Sequence, residues 1–394
     1  MTIMSKAAPA KTTDELGGPQ LPLASFGTPC ALRIVGEPIE VPLSPGAGRF
    51  TLGSAPPAEC LVPRRHVSRT HARIARDGAW LGIEDVSRNG CRFRGELARR
   101  FFVRAGDVFV AGDTPLLVLD ERLQQLREHL RWQLGYTAHA AVDAALIAAA
   151  GPMQTPLLLS GPAGYGPVHL ARTLHEYSGR RALPLVTVEV RASDRVAMNQ
   201  LARAGAGSVC VDLRGVRRAS RALARALARA PTRIIAFGLD LRSMRHALDW
   251  HGPVEEIATP PLAERPPGEV IAMLDVVLAE QGSAHRVGEP GVLRDLLGSR
   301  IAELAAFEWP ENHDDLRRAA TRLAAWAEAD GVLRVGALIL GVHPTTLREA
   351  LLRLGVWEVV TSGPVRRSRA ARSARTRMTR LARLARSSRL TRRD

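Results

Sequence analysis

Between Cys30 and Asp120 the apolar positions come in short runs: ALRIV, RFTLG, HARIA, WLGIED, DVFVAG and PLLVLD. Gly, Pro, Asp and Asn separate them, and this rhythm of short alternating strands and tight turns predicts an all-β sandwich over residues 28–120. The next segment, ERLQQLREHLRWQL, changes to helical spacing and predicts a charged helical linker over 121–136. From 137 to about 328 the runs PLLLSG, PLVTVEV, SVCVDL and RIIAFG alternate with helical stretches. That order predicts an α/β domain on a parallel sheet, with a helical lid from about 262. Residues 329–358 hold two short helical patterns, and Leu347, Leu351 and Leu354 mark the buried stripe of the second. Residues 1–27 lack periodicity and read as a flexible leader, and 359–394 as an arginine-rich tail.

Charge sharpens this division. The net charge is +16, yet Gly363–Asp394 alone carries 12 arginines and one acid, so +11 lies there and +5 elsewhere. Such a tail predicts sequence-independent contact with phosphate, and its lack of aromatic residues speaks against base stacking. Lys6 and Lys11 are the only lysines. Cys30, Cys60, Cys91 and Cys210 are scattered without C-x-x-C spacing, which predicts reduced thiols, no metal site and a cytoplasmic protein. No apolar run is long enough to span a bilayer, and MTIMSKAAPAK has no secretory apolar region. No membrane partner is expected.

Four segments of the first domain, TLGS (Thr51–Ser54), HVSRTHARI (His66–Ile74), EDVSRNGC (Glu84–Cys91) and RAGDVFVAG (Arg104–Gly112), resemble the forkhead-associated (FHA) family. The resemblance implies a phosphothreonine reader. Ser68 would donate to the phosphate with Arg69 beside it, Arg88 would add a phosphate-loop contact, and Asn89 would hold the peptide backbone. His71 would brace the loop, and Gly90 would permit a positive-φ turn. One position departs from the family: Ser54 stands where an arginine normally reaches the phosphate. Arg64, Arg65, Arg69 and Arg88 are the candidates to supply the missing charge.

In the second domain the segments LLLSGPAGYGPVHLARTLHEYSGR, AGAGSVCVDL, RIIAFGLDL, ATPPLAERPPGEV and FEWPENHDDLRRAATRL resemble the AAA+ domain of bacterial enhancer-binding proteins, the sigma-54 activators. Gly161, Gly164 and Gly166 sit in the phosphate loop and Asp212 in the Walker B strand. The lysine position is Pro167, however, and Val168 follows it. Leu213 replaces the water-activating glutamate, and Asp314 stands for the lid arginine. The segment that carries the sigma-factor contact is absent. With lysine and general base both missing, no catalytic residue, no bound cofactor and no ATP hydrolysis are expected. The glycines then close a strand-to-helix turn, and the family likeness implies self-association.

Arg334–Glu358 resembles a Fis-type helix-turn-helix, which implies that Thr345, Thr346, Arg348 and Arg353 meet DNA. The combined expectation is a non-catalytic, phosphothreonine-dependent transcriptional regulator whose partners are a phosphoprotein, such as a kinase or its substrate, and DNA. The alternative is a phosphoprotein adaptor without specific DNA binding.

Overall fold

The computed structural model describes residues 27–357 apart from 45, 47, 152–154, 283–296, 298–299 and 330. The expected arginine-rich tail, and the expected leader up to residue 26, lie outside the described residues. The chain divides into two compact units. One comprises the residues up to Gly161 together with Pro167–Thr259, and the other Pro162–Gly166 together with everything from Pro260.

The first unit begins with an all-β sandwich. Its strands are β1 (Ala31–Ile34), β2 (Glu40–Pro42), β3 (Arg49–Gly53), β4 (Cys60–Leu61), β5 (Ala72–Asp77), β6 (Trp80–Asp85), β7 (Cys91–Phe93), β8 (Glu96–Leu97), β9 (Arg100–Arg104), β10 (Val108–Ala111) and β11 (Thr114–Leu119). One sheet runs β2-β1-β11-β10-β7-β8 and the other β4-β3-β5-β6-β9. Neighbours are antiparallel except β3 and β4. The period-two alternation seen in the sequence fills the space between them: Leu52, Ile74, Leu81 and Ile83 meet Leu32, Ile34, Phe109, Leu116 and Val118. β11 departs from this pattern, since Leu116 to Leu119 are all buried. Helices cover its outer face.

Those helices are α1 (Glu121–Leu134) and α2 (His139–Ala150). Asp120 caps α1, accepting the Leu123 amide at 2.8 Å, and also takes the Gly27 amide at 2.9 Å. Leu123, Leu126, Leu130 and Leu134 form a buried stripe, so the segment expected as a linker is a packed element of the unit. α2 is the apolar helix HAAVDAALIAAA, and its one acid, Asp143, is wholly buried. Arg33 on β1 reaches that carboxylate at 2.5 Å, with the two side chains 1% and 0% exposed. The Gly36 amide donates to the other carboxylate oxygen at 2.8 Å. The approach is close: a Cβ on Gly106 would lie 2.0 Å from the Cβ of Ala150.

The sheet that follows is parallel throughout, in the order β13 (Leu185–Val188), β14 (Ser208–Asp212), β15 (Arg233–Gly238), β12 (Leu157–Ser160), β16 (Glu255–Ala258). Connecting helices α3 (Pro167–Glu176), α4 (Asp194–Ala204), α5 (Arg221–Arg229) and α6 (Leu241–Leu248) explain why β12 and β15 read as unbroken apolar runs. Arg233 is fully buried, donates to the Ala148 carbonyl at 2.7 Å, and has its pKa pushed down to about 10 by desolvation. The α/β architecture expected from sequence is present.

The second unit is helical: α7 (Pro267–Gly282), α8 (Ile301–Ala305), α9 (Asn312–Glu328), α10 (Leu333–Leu340) and α11 (Pro344–Arg353). α10 and α11 are joined by Gly341 at φ 67°, and Pro344 occupies the first turn of α11 after the cap residue His343. Leu347, Leu351 and Leu354 are buried, whereas Thr345, Thr346, Arg348 and Arg353 are exposed. Gly336 lets α10 close on α9, since its Cβ would meet the Ala325 carbonyl at 3.3 Å.

Asp143→Ala leaves Arg33 buried without its counter-charge and is expected to destabilise the first unit by about 3–5 kcal/mol. Urea unfolding should show a lower midpoint, and the double change Arg33→Met with Asp143→Leu should recover most of the loss. A single variant as stable as the parent would contradict this role.

Candidate phosphopeptide site

At one end of the sandwich, the loop from β4 to β5 meets the loop from β6 to β7. His71 fastens both. Its ring is buried; Nδ1 accepts the Ser68 amide at 3.0 Å, which places the proton on Nε2, and Nε2 donates to the Gly90 carbonyl at 3.3 Å. Its backbone is equally committed, for the His71 amide donates to the Leu52 carbonyl and its carbonyl accepts the Val86 amide. Gly90 at φ 79° carries the chain back into β7, as the sequence expected of it.

Three of the five expected residues, Ser54, Ser68 and Arg88, are linked to one another by hydrogen bonds, and a fourth, Asn89, bonds to the neighbouring loop. Ser68 Oγ accepts the Arg88 amide at 3.3 Å, and the Ser54 amide donates to the Ser68 carbonyl at 3.0 Å. Asn89 Nδ2 donates to the His66 carbonyl at 2.8 Å, so its amide ties the two loops together, and its Oδ1 has no hydrogen-bond partner among the described residues. The fifth, Arg69, lies between Ser68 and the turn into β5, and its carbonyl runs against β3. A Cβ on Gly53 would come within 1.8 Å of that oxygen, which explains why glycine precedes Ser54. The second loop is turned by Asp85, which accepts both the amide and the hydroxyl of Ser87, while Ser87 Oγ takes the Gly90 amide.

The four candidate replacement arginines separate. Arg64 pairs with Glu37, 27 residues away, a partner that no local spacing announces. The guanidinium groups of Arg65, Arg69 and Arg88 are exposed and make no hydrogen bond or ion pair among the described residues. His66 contacts Asp113, which holds that exposed carboxyl below its ordinary range. Near the loops, His71, Asp85 and Cys91 have ligand atoms within 4.8 Å of one another. His71 already spends both ring nitrogens on the loops, however, and burial together with Asp85 pushes the Cys91 thiol up to about 12. The group acts as an anchor for the turn.

No family model matches the chain, and no curated protein matches it. Among solved structures, the FHA domain of CT664 from Chlamydia trachomatis is similar at 27% identity, covering 24% of this chain and 98% of that one, with a TM-score of 0.22. A domain from work on phosphothreonine-dependent FHA domain interactions is similar at 25% identity over 24% and 98%, TM-score 0.22. NtrX from Brucella abortus in complex with ATP is similar at 16% identity over 60% of this chain and 68% of that one, TM-score 0.34.

The expected nucleotide positions fall as follows. Gly161 follows β12, Gly164 and Gly166 adopt φ 71° and 75°, and Pro167 opens α3 with Val168 exposed. Gly164 is there for more than a turn: its Cβ would lie 2.0 Å from the Glu311 carbonyl. Within that unit, Asn312 Nδ2 donates to the Ala163 carbonyl at 2.9 Å and the Asp314 amide to the Gly164 carbonyl at 3.2 Å. Asp212 is chelated by Arg214, whose Nε and Nη2 donate at 2.9 and 2.7 Å and hold the carboxyl below its ordinary range. Leu213 is buried.

Burial lowers the His71 pKa, so the folded protein binds this proton less well than the unfolded chain does. Stability is therefore expected to be full above the ordinary imidazole value of 6.5 and to fall as pH drops below it. The protection of the Ser68 amide, its exchange taken relative to the intrinsic rate at each pH, should fall over the same range, because a proton on Nδ1 removes its acceptor. A His71→Gln variant with the parent's exchange profile would contradict the assignment.

Proposed function

We infer that the sandwich reads phosphothreonine, in a chain whose α/β part does not hydrolyse ATP and whose C-terminal helices contact DNA. The observation that carries the first part is the assembly around Ser68. Its hydroxyl and the unpaired guanidinium groups of Arg65, Arg69 and Arg88 stand on two loops that His71 and Asn89 hold in register. A phosphate dianion is bound by such convergent, charge-assisted donors. The motif likeness to FHA domains supports the same reading, and Ser54 contributes a hydroxyl where the family has a guanidinium. The protein is then a phosphorylation-linked regulator that occupies or recruits at sites without remodelling a promoter complex itself.

Three features support an inactive nucleotide site. Pro167 supplies neither a positive charge nor an N–H to a phosphate. Arg214 occupies both carboxylate oxygens of Asp212, and Leu213 has no proton-accepting group. DNA contact rests on α11, whose exposed Thr345, Thr346, Arg348 and Arg353 lie opposite its buried leucines. The absence of an enriched motif in a selection from random duplexes would leave a phosphoprotein adaptor.

Ser68→Ala, Arg69→Ala and Arg88→Ala should each weaken binding of a phosphothreonine peptide about 10- to 100-fold, the worth of one charge-assisted hydrogen bond. Arg64→Ala, already committed to Glu37, should bind like the parent. Fluorescence anisotropy measures both, and equal affinity for all four variants would overturn the site. Magnesium ATP should leave the melting temperature unchanged and release no phosphate; a saturable rise would show that the site holds nucleotide, and phosphate release would overturn the inactive-site reading.

A further inference from the structure

From Arg214 to Gly238 the chain carries seven arginines and no acid. Two are accounted for, Arg214 by Asp212 and Arg233 by the protein interior. The other five, Arg217, Arg218, Arg221, Arg225 and Arg229, are exposed and make no hydrogen bond or ion pair among the described residues. They are not spread evenly. Arg218, Arg221 and Arg225 line an open groove of about 290 Å³ between α5 and α6, floored by alanine methyls and Leu248, with Asp249 as its one acidic residue. On the α6 side Arg242 and Arg245 are also exposed.

We propose that this groove binds the phosphodiester backbone of a nucleic acid, independently of base sequence. Three observations select that ligand. Arg221, Arg225 and Arg229 recur every four residues on an α-helix, so positive charge repeats about every 6 Å along one face. A strand with its own regular row of anions is the complement of such a row. The row continues past the groove to Arg229, which a compact anion would not need. The floor offers alanine methyls and Leu248 but no aromatic ring, so it has no stacking platform and none of the aromatic lining that commonly receives the anchor of a protein partner. Leu223 and Leu227 point into the core and fix the helix, so the arginine face can be altered without disturbing packing. The site lies outside α11, and the proposal stands whether or not α11 reads sequence.

The test uses the full chain and a short random-sequence DNA duplex, with affinity measured across a salt series. Replacing Arg221, Arg225 and Arg229 together by Gln removes three phosphate contacts and should reduce the slope of log K against log salt by about 2 to 3. A control with Arg92, Arg99 and Arg203 changed to Gln loses the same charge and should keep the parent's slope. An equal fall in both variants, an unchanged slope in the first, or no duplex binding by the parent would each overturn the proposal. Loss of poly-glutamate binding in the first variant alone, with duplex binding intact, would also overturn it and make the groove a surface for an acidic protein.

Discussion

The first unit depends on how one apolar helix is held. α2 has little polarity of its own, and two buried arginines fix it: Arg33 from the sandwich reaches Asp143, and Arg233 from the parallel sheet reaches the Ala148 carbonyl. Taking a guanidinium and a carboxylate out of water is expensive, and their contact offsets that cost, although Arg33 Nη1 is buried without an acceptor among the described residues. Asp143 accepts a second bond from the Gly36 amide, so both its oxygens are used. The consequence is specificity of docking, since any other register of β1 against α2 would strand a charge in a core of alanine and leucine. Gly106 against Ala150 adds a steric condition to the electrostatic one.

The candidate phosphopeptide site is built by the same economy of buried polar groups. A neutral histidine with one accepting and one donating nitrogen joins two loops that are otherwise irregular. The groups that would face a ligand are then the ones left over: a serine hydroxyl, the unpaired oxygen of Asn89 and three arginines. In the second unit the glycine loop is used differently. Its carbonyls serve the first turn of α9, and its tightest glycine accommodates the backbone of Glu311. A loop of phosphate-binding outline thus has a structural employment of its own.

Much of this was legible in the sequence, for particular reasons. The sandwich strands show period-two alternation because one face of each is buried, and β12 and β15 read as continuous apolar runs because both faces are covered. The resemblance carried by HVSRTHARI located His71, and the spacing of Leu347, Leu351 and Leu354 located the buried face of α11. Other features left no local trace. The α1 segment reads as a charged connector because most of its residues are polar, and its leucine stripe acquires meaning only once α2 lies against it. Arg33 sits in the strand ALRIV, where an arginine suggests a solvent-facing position, and its partner is 110 residues away. Which arginine near Ser68 is already committed could not be read either, because the Glu37–Arg64 pair is a product of folding. Composition also hid the α5 groove: arginine is so frequent in this chain that only the arrangement of unpaired side chains around a concavity distinguishes it.

The claim most worth testing is that the sandwich distinguishes a phosphorylated threonine from an unmodified one. Presenting the full-length protein to a degenerate peptide library, with phosphothreonine, phosphoserine or threonine fixed at its centre, measures this directly. The account predicts retention of the phosphothreonine pool, release as phosphate competitor rises, and no retention by a Ser68→Ala protein. Equal retention of the phosphorylated and unmodified pools would contradict it.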